Sequence, residues 1–232
     1  MTDTPLPSPT RLASARVSGN HGERTTVVLE DGTELTLATD AFLATGLRAG
    51  DPVDEQLRAG LVEAGLLWEA REAGLRLLSH RARSRRELET RLRRKGFPGK
   101  LVSRVAGEME ERGYLDDDAF ARAYVSDRLR LRPRGRRALE RELRGKGVDA
   151  GVAEAALERV FQEQGTTDAD IAREVGSGWV RRQPQGLVEA LLARERTPEG
   201  EKALRRFQGF MGRRGITGGV ALQVLEALRE GS

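Results

Sequence analysis

Two Gly-Lys pairs, Gly99-Lys100 and Gly145-Lys146, are the first residues whose types and spacing suggest chemistry, because a lysine closing a glycine loop can hold the phosphates of a nucleotide. That loop also needs a glycine five positions before the second Gly, and Ser or Thr after the Lys. Here those positions hold Arg94 and Leu101 in one case and Glu140 and Gly147 in the other, and neither pair follows a strand pattern. Both fail. Asp116-Asp117-Asp118 is the next candidate, since clustered carboxylates bind hard cations. The run directly precedes a helical pattern, where carboxylates accept from free backbone N–H groups and favour the positive end of the helix dipole. No second acidic cluster answers it, so it reads as a helix cap. His21 and His80 are the two histidines, and His80 lies among Arg76, Arg81 and Arg83 on a stretch that reads as surface. The absence of cysteine excludes disulfides, thiolate metal sites and cysteine nucleophiles. Nothing resembles a nucleophile elbow. Trp68, Trp179, Tyr114, Tyr124 and the six Phe sit mostly at apolar helical spacing, as core residues do, and not as base-stacking platforms. The expectation is a protein that is not an enzyme and carries no cofactor or metal.

Arginine remains. It outnumbers lysine 36 to 4 and is concentrated in blocks: the formal charge is +6 over 60–100 and +7 over 128–147, with acidic stretches between and a whole-chain value of +4. The candidate contacts are Arg81, Arg83, Arg85, Arg86, Arg93, Arg94 and Lys95 in the first block. In the second they are Arg128, Arg132, Arg134, Arg136, Arg137, Arg141, Arg144 and Lys146. Guanidinium groups bind phosphate and carboxylate through paired hydrogen bonds. The chemistry on offer is therefore recognition of a polyanion, either nucleic acid or an acidic protein surface.

The elements that must position these arginines repeat. Glu87-Leu88-Glu89-Thr90-Arg91-Leu92-Arg93-Arg94-Lys95-Gly96-Phe97 returns 51 residues later as Ala138-Leu139-Glu140-Arg141-Glu142-Leu143-Arg144-Gly145-Lys146-Gly147-Val148. A third, weaker copy ends Phe207-Gln208-Gly209-Phe210-Met211-Gly212-Arg213-Arg214-Gly215-Ile216. Apolar pairs stay at spacing four (Leu88/Leu92, Leu139/Leu143, Phe207/Met211), and each copy closes on Lys or Arg, then Gly as a helix stop. A second helix follows in each, with stripes Val102/Val105/Met109, Ala153/Ala156/Val160 and Ala221/Val224/Leu228, begun at Pro98, Asp149 and Thr217. A helix precedes each copy: Trp68 to Arg81, Asp117 to Leu131 with Phe120, Ala123 and Tyr124 inward, and Asp168 to Arg181. Ser84-Arg85-Arg86-Glu87 reads as a capping box and Arg132-Pro133-Arg134-Gly135 as a helix break.

Upstream, Thr25 to Leu29 and Thr33 to Leu37 flank Asp31-Gly32, a hairpin signal, with Leu12 to Val17 as a third strand and Asp40 to Thr45 as a short helix. The expected fold is mainly α: three tandem three-helix repeats in an elongated, curved array, with a small N-terminal β-rich module. The expected boundaries are a disordered tail over 1–10, the β module over 11–58, repeats over 61–115, 116–165 and 166–232, and an insertion in the last near 183–199. With 232 residues and 38% hydrophobic content, the chain can bury a substantial core. No run reaches the roughly 18–20 apolar residues of a membrane span, and the N-terminus lacks the pattern of a signal peptide. The reading is a soluble cytoplasmic monomer with no membrane partner.

Several of these stretches, taken in order, resemble the RecX regulatory family. They are Ser84-Arg85-Arg86-Glu87-Leu88, Leu92 to Phe97, Gly113-Tyr114-Leu115-Asp116-Asp117, Phe120-Ala121-Arg122-Ala123-Tyr124, Arg132-Pro133-Arg134-Gly135-Arg136-Arg137 and Leu139 to Val148. The resemblance covers about 65–160 strongly and the third copy weakly. It implies a non-enzymatic modulator of the RecA recombinase. Such a protein binds in the groove of the RecA–DNA filament and restrains filament growth, strand exchange, ATP hydrolysis and co-protease activity. A helical-repeat protein that binds single- or double-stranded DNA directly, and so competes with the recombinase, is the alternative.

Overall fold

A computed structural model describes residues 10–231, which divide into two compact units: 10–82 with 88–115, and 83–87 with 116–231. The expected tail lies outside the described residues except for Thr10, which opens the first strand.

In the first unit, β1 (Thr10–Ser18), β2 (Arg24–Leu29), β3 (Glu34–Ala38) and β4 (Pro52–Val53) form an antiparallel sheet in the order β3-β2-β1-β4, with α1 (Thr39–Leu43) between β3 and β4. The hairpin turns at Asp31-Gly32: Gly32 takes φ +82°, and its N–H donates to the Leu29 carbonyl at 3.0 Å. Leu12, Val27, Leu29, Leu37, Phe42 and Val53 bury one side of this module. The helix that follows, α2 (Glu55–His80), begins well before the expected position and runs through the anticipated module boundary. A sheet with one apolar face needs a cover. Leu57, Leu61 and Ala64 of α2 supply it, while Leu67, Ala70 and Ala73 further along the same helix join the helical core. Gly65 of α2 lies against β3, where a Cβ would make ordinary contact with the Thr36 carbonyl oxygen at 3.5 Å.

α3 (Arg85–Arg94) and α4 (Gly99–Glu111) complete the first triplet, with Leu88, Leu92, Val102, Val105 and Met109 buried as their spacing predicts. Arg71 on α2 clamps Glu108 on α4 through both guanidinium edges, Nη2 to Oε1 at 2.8 Å.

The second unit contains α5 (Asp117–Leu131), α6 (Arg136–Gly145), α7 (Ala150–Glu163), α8 (Asp168–Val180), α9 (Gln185–Leu192), α10 (Pro198–Arg213) and α11 (Gly218–Glu230). They share one continuous core running from Phe120 on α5 to Leu225 on α11. The stripes on α6, α7 and α10 face inward as expected, and on α11 Ala221 and Val224 are buried together with Leu225, while Leu228 is half-buried. The α5 stripe differs. Ala121, Val125 and Leu129 are buried with Phe120, whereas Ala123, expected inward, is exposed. Packing against α7 sets the rotation of α5, and Ala123 lies two residues, about 200°, around the helix from Ala121. The insertion folds as α9, which buries Leu191, and Arg229 of α11 donates to the carbonyls of Leu191 and Ala193, each at 3.1 Å.

The three Lys/Arg-Gly stops all take the left-handed backbone: Gly96, Gly147 and Gly215. Gly215 has a second constraint. A Cβ on it would meet the Ala138 backbone nitrogen at 2.5 Å, because the loop before α6 and the loop after α10 touch, with the Gly135 N–H donating to the Arg214 carbonyl at 2.8 Å. Among the described residues no helix is long and apolar enough to cross a membrane.

Two outcomes follow. Gly215→Ala should destabilise by about 3 kcal/mol or more, combining backbone strain with overpacking, whereas Gly96→Ala, with open space beside it, should cost about 1 kcal/mol. Urea melts of the two variants compare them directly, and equal losses would refute the close loop contact. The hydrogen bond from Arg71, opposed by burial, holds the Glu108 carboxyl below its ordinary value of 4.5. The stability it contributes is complete above that ordinary value and disappears as pH falls through the lowered one. Glu108→Gln should therefore lose about 1–2 kcal/mol at neutral pH and flatten the acid limb of the stability profile.

Candidate functional site

Asp116 caps α5, accepting from the Ala119 N–H at 2.9 Å, and Asp118 pairs with Arg122 at 3.0 Å, so both serve their own helix. Asp117 has a longer reach: its carboxylate accepts from the Arg85 N–H at 2.8 Å. Burial pushes its carboxyl above the ordinary value, with that hydrogen bond opposing. Ser84 is completely buried. It accepts from the Glu87 N–H at 3.1 Å, the forward half of the expected capping box, and donates to the Lys146 carbonyl at 2.5 Å. Among the described residues no group of three or more His, Asp or Glu side chains could hold a metal ion.

The candidate arginines separate into those held by the protein's own groups and those left to solvent. In the second unit Glu142 is the centre of the first kind. Arg134 Nη1 pairs with its Oε1, Arg128 Nε lies 3.2 Å from its Oε2, and the Tyr124 hydroxyl donates to the same Oε2 at 2.6 Å. Burial and then Glu142 raise the Tyr124 hydroxyl above its ordinary value, keeping it a donor. Arg128 and Lys146 both lie over the Tyr124 ring, at 4.6 and 5.1 Å, and Lys146 also pairs with Glu87 at 3.1 Å. Arg136 reaches Glu158 on α7 at 2.9 Å and Asp168 at the start of α8 at 3.2 Å, and it covers the ring of buried Phe161 at 4.1 Å. Its work is to hold three helices together. Arg137 and Arg141 are exposed and have no ion pair among the described residues. Arg144 pairs with Glu140 at 3.6 Å in an exposed i,i+4 geometry worth little. Positions 137, 141 and 144 fall on one face of α6.

Around α3, Arg81, Arg83 and Arg85 all have partners, among them the Ala82 carbonyl for Arg81. The stem of Arg86 lies where a Cβ on Gly147 would be, which places its head at the surface. Arg93 pairs with Glu89 at 3.0 Å. Arg94 and Lys95 are exposed, with no ion pair among the described residues.

Two arginines that the sequence reading passed over join the second unit's basic surface. Arg214 donates to the Pro133 carbonyl at 3.1 Å and stacks over Phe210 at 5.1 Å. Burial, followed by the charges of Arg134, Arg182 and Arg132, pushes it below the ordinary guanidinium value, and Glu142 acts in the other direction. Arg182, just past α8, donates Nε to the Gly178 carbonyl at 2.6 Å. The repeat alignment held a signal for Arg214, which occupies the position of Lys95 and Lys146 before the glycine stop. Arg182 has no counterpart in that alignment. Of the expected core aromatics, Trp179, Phe161 and Phe207 are buried, while Tyr114 is exposed.

Tandem three-helix domains with exposed arginines, following a small antiparallel sheet, define the class: a helical multi-domain protein. A model of the RecX first three-helix domain matches residues 70–108, and one of the second matches 116–157. The regulatory protein RecX of Mycolicibacterium smegmatis is 39% identical over 161 residues, 68% of this chain and 78% of that protein. Its counterpart in Streptomyces coelicolor is 37% identical over 163 residues, 70% and 79% of the two chains. A crystal structure of a regulatory protein RecX shares the fold, with a TM-score of 0.69 over 94% of this chain and 99% of the other at 18% identity. The chain belongs to the RecX family of regulatory proteins.

The division among the arginines is testable on the isolated protein. Arg136→Gln should lower stability by about 1–2 kcal/mol, because it removes two ion pairs and a cation–π contact over a buried ring. Arg137→Gln should stay within about 0.5 kcal/mol of the parent. Equal denaturation midpoints for the two variants would overturn the structural role of Arg136.

Proposed function

We propose that the chain is a non-enzymatic negative regulator of the RecA recombinase, working in the cytoplasm as a monomer on the RecA–DNA filament. It binds in the filament groove and limits filament growth, ATP hydrolysis, strand exchange and co-protease activity. Family membership supports the regulatory reading and the name of the partner. The observation that carries the binding reading is the set of exposed cations with no ion pair among the described residues at the same stage of successive repeats: Arg86, Arg94 and Lys95 on and just after α3, and Arg137 and Arg141 on α6. Guanidiniums already spent on internal carboxylates have little left for a partner, so these five rank above Arg128, Arg134, Arg136 and Lys146 as contacts.

The test is binding of the purified protein to labelled single-stranded DNA, bare and RecA-coated, across a salt series. Tighter and more salt-tolerant binding to the coated strand is expected. Equal or stronger binding to bare DNA with a steep salt slope would instead support a helical-repeat protein that binds single- or double-stranded DNA and competes for it. Reversing charge at Arg137 and Arg141 together should raise the concentration needed to inhibit RecA ATP hydrolysis roughly thirtyfold or more, since contacts to charged partners carry about 1 kcal/mol or more each. Undiminished inhibition by a normally folded variant would remove the α6 face from the contact.

A further inference from the structure

The break before α6 and the end of α10 meet back to back, and the contact gathers charge of one sign. The Gly135 N–H donates to the Arg214 carbonyl at 2.8 Å, and Arg214 returns its guanidinium to the Pro133 carbonyl at 3.1 Å. Arg132 and Arg134 flank Pro133. Arg214 rests on Phe210, whose ring lies 6.3 Å from Trp179, and Arg182 follows Trp179 by three residues at the end of α8. The carboxylate that reaches this group, Glu142, is already shared between Arg134, Arg128 and the Tyr124 hydroxyl. Arg134 has a buried Nε with no hydrogen-bond partner, while Arg132 and Arg182 are exposed and have no ion pair among the described residues. The C-terminal ends of α5, α8 and α10, which these arginines follow, offset part of the repulsion. They do not neutralise it.

We propose that Arg132 and Arg182, with Arg134 and Arg214 behind them adding to the local positive field, form a binding site for the phosphate backbone of nucleic acid, built jointly by the second three-helix domain and the C-terminal helices. The proposal deepens the reading above and rests on it for the biological partner, but it names the ligand chemistry and the place. A bound phosphodiester chain would give four cations the counter-charge that one shared carboxylate does not supply. Nucleic acid fits better than an acidic protein surface because duplex DNA carries one charge per about 1.7 Å of axis, whereas protein carboxylates are dispersed among other groups. Trp179 is buried and Phe210 is covered by Arg214, so no free aromatic platform accompanies the cluster. The site therefore takes backbone and reads no sequence.

The experiment uses the full chain and a fluorescein-labelled oligothymidylate. Arg132→Gln with Arg182→Gln removes the two exposed charges and leaves Arg214, which holds the loops together, in place. Arg194→Gln with Arg196→Gln removes the same charge from the exposed loop between α9 and α10. The first pair should weaken binding roughly tenfold and reduce the log–log salt slope by about 1.4, at about 0.7 per single-strand phosphate. The second pair should change neither, and melting curves confirm the fold of both. An unchanged slope for the first pair, or an equal loss for the second, overturns the site. Intact binding to bare DNA with loss only on RecA-coated DNA also overturns it, by showing that the cluster faces protein. If the unaltered chain shows no preference for the coated strand, the regulator reading fails while the slope comparison on bare DNA still decides this one.

Discussion

A bundle of three short helices has too little interior to be stable alone, and that burial constraint governs the rest of the structure. The second unit answers it by merging two triplets into one core, so that Phe161 on α7 and Phe207 on α10 are both fully enclosed within the same cluster. The first unit answers it differently. α2 is long enough to cover the sheet with Leu57 and Leu61 and then to close on α3 and α4 with Ala70 and Ala73. Small residues matter at both solutions, because helices that share a core must come close: Met109 packs onto Gly74, and Val224 onto Gly176.

Shared cores leave polar seams at their edges, and the arginines divide there. Where a helix end meets a neighbour, a guanidinium becomes a tie: Arg136 joins α6, α7 and α8, Arg214 joins the loop before α6 to the end of α10, and Arg229 holds the end of α9. Their planar forks suit this, satisfying a carbonyl or carboxylate while the stem covers apolar surface. Away from the seams, on α3 and α6, Arg86, Arg94, Arg137 and Arg141 are exposed and have no ion pair among the described residues. One composition thus supplies both the joints of the fold and its exposed positive charge.

This division explains why a block charge of +7 overstates the cations available to a partner. Within 128–147, Glu142 alone occupies two arginines and Glu158 and Asp168 a third. The surface that remains is narrower than the sequence suggests, and it is extended at one end by Arg182 and Arg214 from outside the block.

Much of the fold was legible in the sequence because it rests on local rules. The spacing of Leu139 and Leu143, the Asp31-Gly32 hairpin and the glycine after each Lys or Arg all act within a few residues, and each took the expected conformation. The insertion expected near 183–199 holds α9. What the sequence left open depended on partners distant along the chain. The rotation of α5, which exposes Ala123, is set by α7, and the early start of α2 is set by a sheet face needing a cover. Whether an arginine is a joint or a contact depends on which carboxylate lies opposite it. For Arg136 that carboxylate is 22 residues away on Glu158, for Lys146 it is 59 residues away on Glu87, and for Arg137 the described structure provides none. Charge is written residue by residue, but its neutralisation is decided only when the chain is folded, because pairing requires contact within a few ångströms and separation along the sequence carries no information about it.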